Sequence, residues 1–461
     1  MRPSSEIRLN AFAMNCVGHQ SPGMWTHPRD QSWRYTQASY WIELAQILEG
    51  GLFDGLFLAD VLGVYDVYGG SVDGALRTDS QVSVNDPLLL VPLMSQATRH
   101  LGFGVTCAVS YEHPYPFARR MSTLDHLTGG RIAWNIVTGY LDSAARNMGL
   151  ERQMAHDDRY DYADEYLDVC YKLWESSWEP GAVLRDKAGG VFTDPARVHA
   201  IAHQGKEFRV PGIHLCEPSP QRTPVLYQAG ASARGKNFAG RHAECVFISA
   251  PTQKVLRQGV QGIRDAARLE GRDPFAIKIF AMFTVIVDET EAGAQRKLDE
   301  YRRHVSVEGA LTLLSGWTGV DMSGYAPDDA IRYIENDAGR SALESFTRAD
   351  PDRVWTVREV VQWVCIGGRG PVAVGTPAQV ADAMEDWVEQ TRIDGFNLTY
   401  VVAHDTFRDI ADLVVPELQR RGRYKKAYAE GTLREKLFGQ GPLLDQRHPA
   451  GRAREHLLSP A

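Results

Sequence analysis

Eight short, almost unbroken apolar runs recur along this chain, separated by stretches whose apolar residues fall at helical spacing. The runs are "EIRLNAFAM" (6–14), "FDGLFLAD" (53–60), "LGFGVTCAVS" (101–110), "RIAWNIVT" (131–138), "TPVLYQAG" (223–230), "AECVFISA" (243–250), "IKIFAMFTVIVD" (277–288) and "FNLTYVV" (396–402). A strand that is apolar at nearly every position must be covered on both faces, as parallel strands with helical crossovers are. Between them, "YWIELAQILEGG" (40–51) places Trp41, Leu44, Ala45 and Leu48 on one helical face, and "TPAQVADAMEDWVEQ" opens with Thr376 as N-cap and Pro377 at the first helical position. Eight such units close most economically into an α/β fold, a (β/α)8 TIM barrel with functional groups at the carboxyl ends of its strands. A doubly wound open sheet is the alternative, but no G-x-G-x-x-G follows any of the runs.

The 461 residues exceed a minimal barrel, so the reading includes long insertions and a C-terminal extension. Residues 1–420 are assigned to the barrel, with insertions near 15–38, 176–222 and 305–375. Residues 421–461 form a C-terminal arm, whose basic run reads as a solvated face or subunit contact. A formal charge of −8 argues against a nucleic-acid partner. No apolar run approaches membrane-spanning length, and "MRPSSEIRLNAFAM" lacks the apolar core of a signal peptide. The six cysteines are scattered without a CxxC pair. A cytoplasmic enzyme, free of membrane and nucleic acid, is expected.

The strand ends carry mostly neutral hydrogen-bonding groups: His19, Thr106, Asn135 and the segment Gln228–Ser232, with Asp60 as the clear carboxylate of the first half. A glycosidase would need two facing carboxylates, and a metal hydrolase clustered ligands. Cys16-x-x-His19 has no second pair, so no metal site is expected. In "YQAGASARGKNFAG" (227–240), Ser232 opens a helix after a strand, which suits either a phosphate on the helix N-terminus or a plain helix cap. In "AHDDRYDYADEY", His156 and Tyr160 could reach a cofactor or merely start a helix with an apolar stripe. His113, in the loop after the third run, is ambiguous.

Together, "GRIAWNIVTGYLDSAARNMGL", "HDDRYDYADEYLD", "HLCEPSPQRTPVLYQAGASARG" and "IDGFNL" resemble the bacterial-luciferase-like, two-component flavin monooxygenases. The branch is the one containing the nitrilotriacetate, dibenzothiophene-sulfone, long-chain-alkane and dimethyl-sulfide monooxygenases. The resemblance runs from "LNAFAMNCVGH" to "LREKLFG". It implies reduced FMN (FMNH2) as a dissociable co-substrate, molecular oxygen (O2), a separate NAD(P)H-dependent flavin reductase, and a homodimer or homotetramer. By motif it implies flavin contacts at Asp60, Thr106, Asn135, His156, Tyr160 and Ser232, with Ser232 at the phosphate. It implies catalytic positions at His19, Tyr65 and Cys16, although Cys16 has simple packing as its alternative. Gln81, Tyr140 and Leu313 are the implied substrate-pocket positions, and the last two stand where the alkane enzymes have histidines. "GWTGVDMSGYAPDD" and "CIGGRGPVAVG" are closest to the dimethyl-sulfide branch, which makes a small thioether the expected substrate and an alkane the alternative.

Oxygen transfer from a flavin demands a closed, water-poor site. His19 is expected to hydrogen-bond or pass a proton to the reacting oxygen, because an ordinary histidine titrates near neutrality. Two other readings stay open: a deazaflavin-dependent hydride-transfer dehydrogenase on the same barrel, which uses no oxygen, and a flavin-binding protein without turnover.

Overall fold

The computed structural model describes residues 6–230, 232–334 and 339–455. All eight apolar runs contain strands: β1 Arg8–Met14, β2 Gly55–Ala59, β3 Gly102–Ala108, β4 Ile132–Val137, β5 Val225–Gln228, β6 Cys245–Ile248, β7 Lys278–Val287 and β8 Gly395–Thr399. Each pairs in parallel with its successor, and β8 with β1, so the sheet closes on itself in chain order. Side chains alternate across the barrel wall. Leu9, Ala11 and Ala13 of β1 pack outward in one core with Trp41, Leu44 and Leu48 of the helix Ala38–Gly50. Phe12, Phe57, Tyr227, Phe247 and Phe280 form an aromatic layer in a second, separate core.

The helix Pro377–Thr391 starts as expected, with Thr376 and Gln379 forming a reciprocal capping box. His113 is a structural cap: its Nδ1 accepts the Tyr115 N–H at 3.2 Å at the start of the helix Pro114–Thr128. One strand of the barrel sheet was not anticipated. Val372–Gly375 adds in parallel to the outer half of β7, Thr284–Val287. β7 has ten residues and outruns its barrel neighbours, which leaves that edge to be covered.

The insertions differ in construction. Residues 15–38 run as loop with two short turns of helix, Met24–Thr26 and Ser32–Arg34. Residues 176–222 contain two small antiparallel hairpins. Residues 305–375 include the helices Val307–Thr318, Arg340–Ser345 and Val357–Val364, gathered around an apolar cluster of their own. That cluster also takes in Tyr65 and Leu141, which follow β2 and β4, so it lies against the carboxyl ends of the strands.

The C-terminal arm is no loose tail. Its helix Leu433–Phe438 puts Leu433 and Leu437 into the aromatic core of the barrel. Arg434 is buried beside it, bound through Nε and Nη2 to both oxygens of Glu244 at 2.7 and 2.9 Å. The basic run, expected as a solvated face or subunit contact, divides: Lys426 is exposed, but Lys425 reaches Asp54 at 2.7 Å, with Arg8 on the same carboxylate at 3.0 Å. No helix among the described residues is long and apolar enough to cross a membrane.

Candidate active site

At the carboxyl ends of the strands lies a cavity of about 310 Å³. Ten of the twelve residues singled out from the sequence line it: His19, Asp60, Tyr65, Gln81, Thr106, Asn135, Tyr140, His156, Tyr160 and Ser232. They fall into three groups.

At one end, β5 stops at Gln228 and the chain turns through Gly230 to Ser232. Ser232 does cap its helix, Ala233–His242, its Oγ accepting the Gly235 N–H at 3.0 Å. The plain reading therefore holds, and a second feature is added to it. The Tyr160 hydroxyl, carried in by the helix His156–Tyr171, lies beside the same serine. A Cβ on Gly230 or Gly235 would come within 2.8 or 2.9 Å of that hydroxyl, so glycine at both positions keeps a cradle open beside a helix N-terminus. His156 lies edge-on to Tyr160, ring centroids 5.4 Å apart.

In the middle, Asn135 of β4 donates from Nδ2 to Thr106 Oγ1 of β3 at 3.0 Å. Asn135 Oδ1 and Gln228 Oε1 are buried with no hydrogen-bond partner. Unpaired buried acceptors on a cavity wall are what a bound ring with N–H donors would satisfy. These two acceptors and the glycine-lined cradle fit a flavin mononucleotide. Asp60, the one carboxylate on the wall among the described residues, is pushed by burial up to about 7, partly offset by the Val61 N–H. It is neutral below that pH and anionic above it. Affinity for reduced FMN, itself anionic at the phosphate, is expected to fall as pH rises from 6 to 8, by roughly tenfold for charges a ring-width apart. Asp60→Asn should flatten the profile in an anaerobic flavin titration, and an unchanged slope would remove Asp60 from the flavin's surroundings. The same raised pKa acts on stability: the folded state holds more protons, so the Asp60 contribution declines as pH climbs from 3.8 towards about 7.

At the far end a hydrogen-bonded chain runs along the cavity wall. Gln81 Nε2 donates to the His19 carbonyl at 2.7 Å, Tyr65 OH donates to Gln81 Oε1 at 2.8 Å, and the Tyr140 and Tyr65 hydroxyls meet at 2.8 Å. Gln81 holds a left-handed backbone, φ 52°, an uncommon conformation for a non-glycine residue that fits a functional constraint. His19 is 2% exposed and lies edge-on to Phe12. Burial pulls its pKa down to about 3, so the imidazole is neutral at any working pH. This corrects the expectation of a titrating histidine: His19 offers hydrogen bonds, not charge. With Gln20 Nε2 donating to its Nε2 at 3.3 Å, the ring proton belongs on Nδ1, which has no partner.

Cys16 and Leu313, also expected at the site, are not among the residues that line this cavity. Cys16 turns its Sγ to the Gly18 carbonyl at 3.5 Å, and burial drives its thiol pKa up, so it packs as a small apolar group. Leu313 is fully buried in the apolar cluster of the helix Val307–Thr318. Trp317, one turn further along that helix, reaches the cavity instead. Gln20, Gln228, Met282 and Arg369 also line it. Of these, Arg369 had a legible signal, as the lone charged residue in "GGRGP".

A closed parallel barrel with a glycine-lined cradle at a helix N-terminus and a hydrogen-bonded chain on the same cavity fits a cofactor-dependent enzyme. Residues 13–395 match the model of the luciferase-like monooxygenases. The chain is 51% identical over 450 residues to dimethyl-sulfide monooxygenase of Hyphomicrobium sulfonivorans, covering 97% of this chain and 94% of that protein. It is equally 51% identical over 452 residues to long-chain alkane monooxygenase of Geobacillus thermodenitrificans (strain NG80-2), covering 98% of each. The crystal structure of riboflavin lyase with modified FMN and riboflavin superposes with a TM-score of 0.91 at 37% identity, covering 97% of this chain and 99% of that one. The chain belongs to the luciferase-like monooxygenase family and is a flavin-dependent monooxygenase.

Proposed function

We propose that this enzyme uses reduced FMN, delivered by a separate NAD(P)H-dependent flavin reductase, to insert one atom of O2 into a small thioether such as dimethyl sulfide. It would work in the cytoplasm as a homodimer or homotetramer. One observation carries the reading: the Tyr160–Ser232 cradle and the His19–Gln81–Tyr65–Tyr140 chain face the same cavity.

Tyr160 and Ser232 hold the phosphate, and Asn135 Oδ1 and Gln228 Oε1 accept from the flavin ring. Reduced FMN, when bound, supplies the two electrons that let O2 give one atom to substrate and the other to water. The surrounding residues exclude water, which protects that transfer. His19 holds a proton at Nδ1, in position to hydrogen-bond the reacting oxygen without charge. Phe12, edge-on to His19, and Met282 add a soft, polarizable part of the wall suited to a sulfur atom. Oxygen entering a C–H bond beside that sulfur gives a hemithioacetal, whose C–S bond then breaks to thiol and aldehyde.

The alkane alternative rests on the equal identity to the Geobacillus relative. Oxygen uptake with FMN, NADH and a flavin reductase separates the two. Thiol and aldehyde formed in step with oxygen from dimethyl sulfide support the thioether; oxidation of alkane alone overturns it. His19→Ala should keep reduced-FMN affinity but divert oxygen to hydrogen peroxide, lowering coupled product about 10²–10⁴-fold, the usual worth of a positioned proton donor. Full coupling in that variant would end the role given to His19.

A further inference from the structure

Arg369 has no hydrogen bond or ion pair to any described residue, although it lines the cavity. The more deeply buried arginines are engaged. Arg131 donates to the Thr128, Leu101, Ser95 and Thr98 carbonyls, Arg272 to the Gly240 and Ala243 carbonyls, Arg222 to the Trp178 carbonyl, and Arg434 to Glu244. Arg369 instead lies with its guanidinium 5.4 Å from the centre of the Trp317 ring, and its electrostatic neighbours are the Tyr140 and Tyr65 phenols. Arginine stays charged in proteins, and Arg369 stands half-buried on the cavity wall with no carboxylate paired to it among the described residues.

The local backbone is built around this placement. Gly367 and Gly368 both have left-handed φ, 76° and 68°. A Cβ on Gly367 would strike the Thr284 side chain of β7, and one on Gly368 the Gln20 side chain beyond β1. The Gly367 N–H donates to Ser21 Oγ at 3.0 Å. The turn is thus pressed between the β7 and β1 sides of the barrel, and only glycine allows it. Arg369 is its one residue with a long side chain.

The cradle cannot be what Arg369 serves. Tyr160 and Ser232 stand at the β5 end, with Arg159 as the cavity-lining cation that acts on Tyr160, whereas Arg369 acts on Tyr65 and Tyr140. The wall therefore carries one guanidinium at each end and, among the described residues, the single carboxylate Asp60. A flavin phosphate accounts for one cation and leaves the other.

We propose that Arg369 is a substrate-recognition residue, and that the preferred substrate is a small thioether bearing a carboxylate or sulfonate, held by the Arg369 fork with its sulfur end toward His19. This rests on the monooxygenase reading above and narrows its substrate class. A planar guanidinium matches such oxyanions in a bidentate pair.

The test is calorimetric titration of the FMN-saturated protein with (methylthio)acetate and with its neutral isostere (methylthio)acetamide. The wild type is expected to bind the acid at least tenfold more tightly. Arg369→Met should erase that preference, and Arg369→Lys should restore part of it. The acid–amide comparison in the wild type needs no variant, so a poorly folding substitution does not blunt it. Equal binding of acid and amide, binding of neither, or a preference that survives Arg369→Met would each overturn the proposal. FMN affinity, measured in the same samples, separates this from the parent reading. Normal flavin binding without acid preference sinks the Arg369 assignment alone, whereas failure to bind flavin sinks the cofactor reading.

Discussion

Gly230→Val is expected to weaken reduced-FMN binding about ten- to hundredfold, the equivalent of the 1–3 kcal/mol that overfilling a packed site typically costs. A Cβ at this position already meets the Tyr160 hydroxyl at 2.8 Å and the Gln228 amide, and the two valine methyls extend further. Both contacted groups are side-chain ends that can move, so the fold should survive, but moving them dismantles the Tyr160–Ser232 pair and shifts the Gln228 acceptor. Ser232→Ala is the natural comparison. It leaves the cradle open and removes one hydrogen-bonding oxygen, for an expected loss of about three- to tenfold. That variant also loses the helix cap, which lowers stability by about 1 kcal/mol. The two therefore separate in opposite senses, one mainly in flavin affinity and the other partly in unfolding. Anaerobic titration with dithionite-reduced FMN, alongside urea unfolding, reads both. Wild-type affinity in Gly230→Val would mean that the phosphate lies elsewhere.

Arg434→Met is expected to have the larger effect on stability, about 3–5 kcal/mol, because it strands Glu244 as a buried charge. Arg434 is 2% exposed and makes more than the ion pair. It also donates to the backbone carbonyls of Pro442, Thr223 and Pro224, at 2.6, 2.9 and 3.1 Å. Glu244 in turn accepts the Leu226 N–H of β5 at 3.0 Å. Removing the cation leaves acceptors around it unpaired as well as the charge. Pairing the change with Glu244→Gln should recover part of the loss, since the carboxylate charge goes while the amide oxygen still accepts from Leu226. Denaturant midpoints of the single and double variants measure this. A double variant no more stable than Arg434→Met would place the cost in the carbonyl contacts instead of the charge.

The barrel was legible because its strands are apolar on both faces, a pattern that few other elements share. The unanticipated strand Val372–Gly375 lacks that signature: four residues, glycine-ended, with Val372 and Val374 only half buried. The site was legible where a strand end fixes a side chain, as at Asn135 and Thr106. It was less so where a helix phase decides, since nothing in "VEGALTLLSGW" says that Trp317 and not Leu313 turns to the cavity. The state of His19 was also hidden, because its low pKa comes from burial by segments distant in sequence. Arg369 could have been suspected from its glycine neighbours, but its lack of a partner belongs to three dimensions alone.

The floor made by Leu433 and Leu437 sets an order of events during synthesis. Asp54 and Lys425 are 371 residues apart, and Asn10 and Asn397, joined across the β1–β8 seam at 2.7 Å, are 387 apart. A ribosome adding about 5–20 residues per second leaves the first strands waiting tens of seconds for those partners. Through that interval the aromatic layer around Phe57, Tyr227 and Phe247 lacks its cover. Until the arm emerges, the nascent protein presents a greasy opening of the kind chaperones hold, and a message truncated after the last barrel strand would yield a species trapped in that condition.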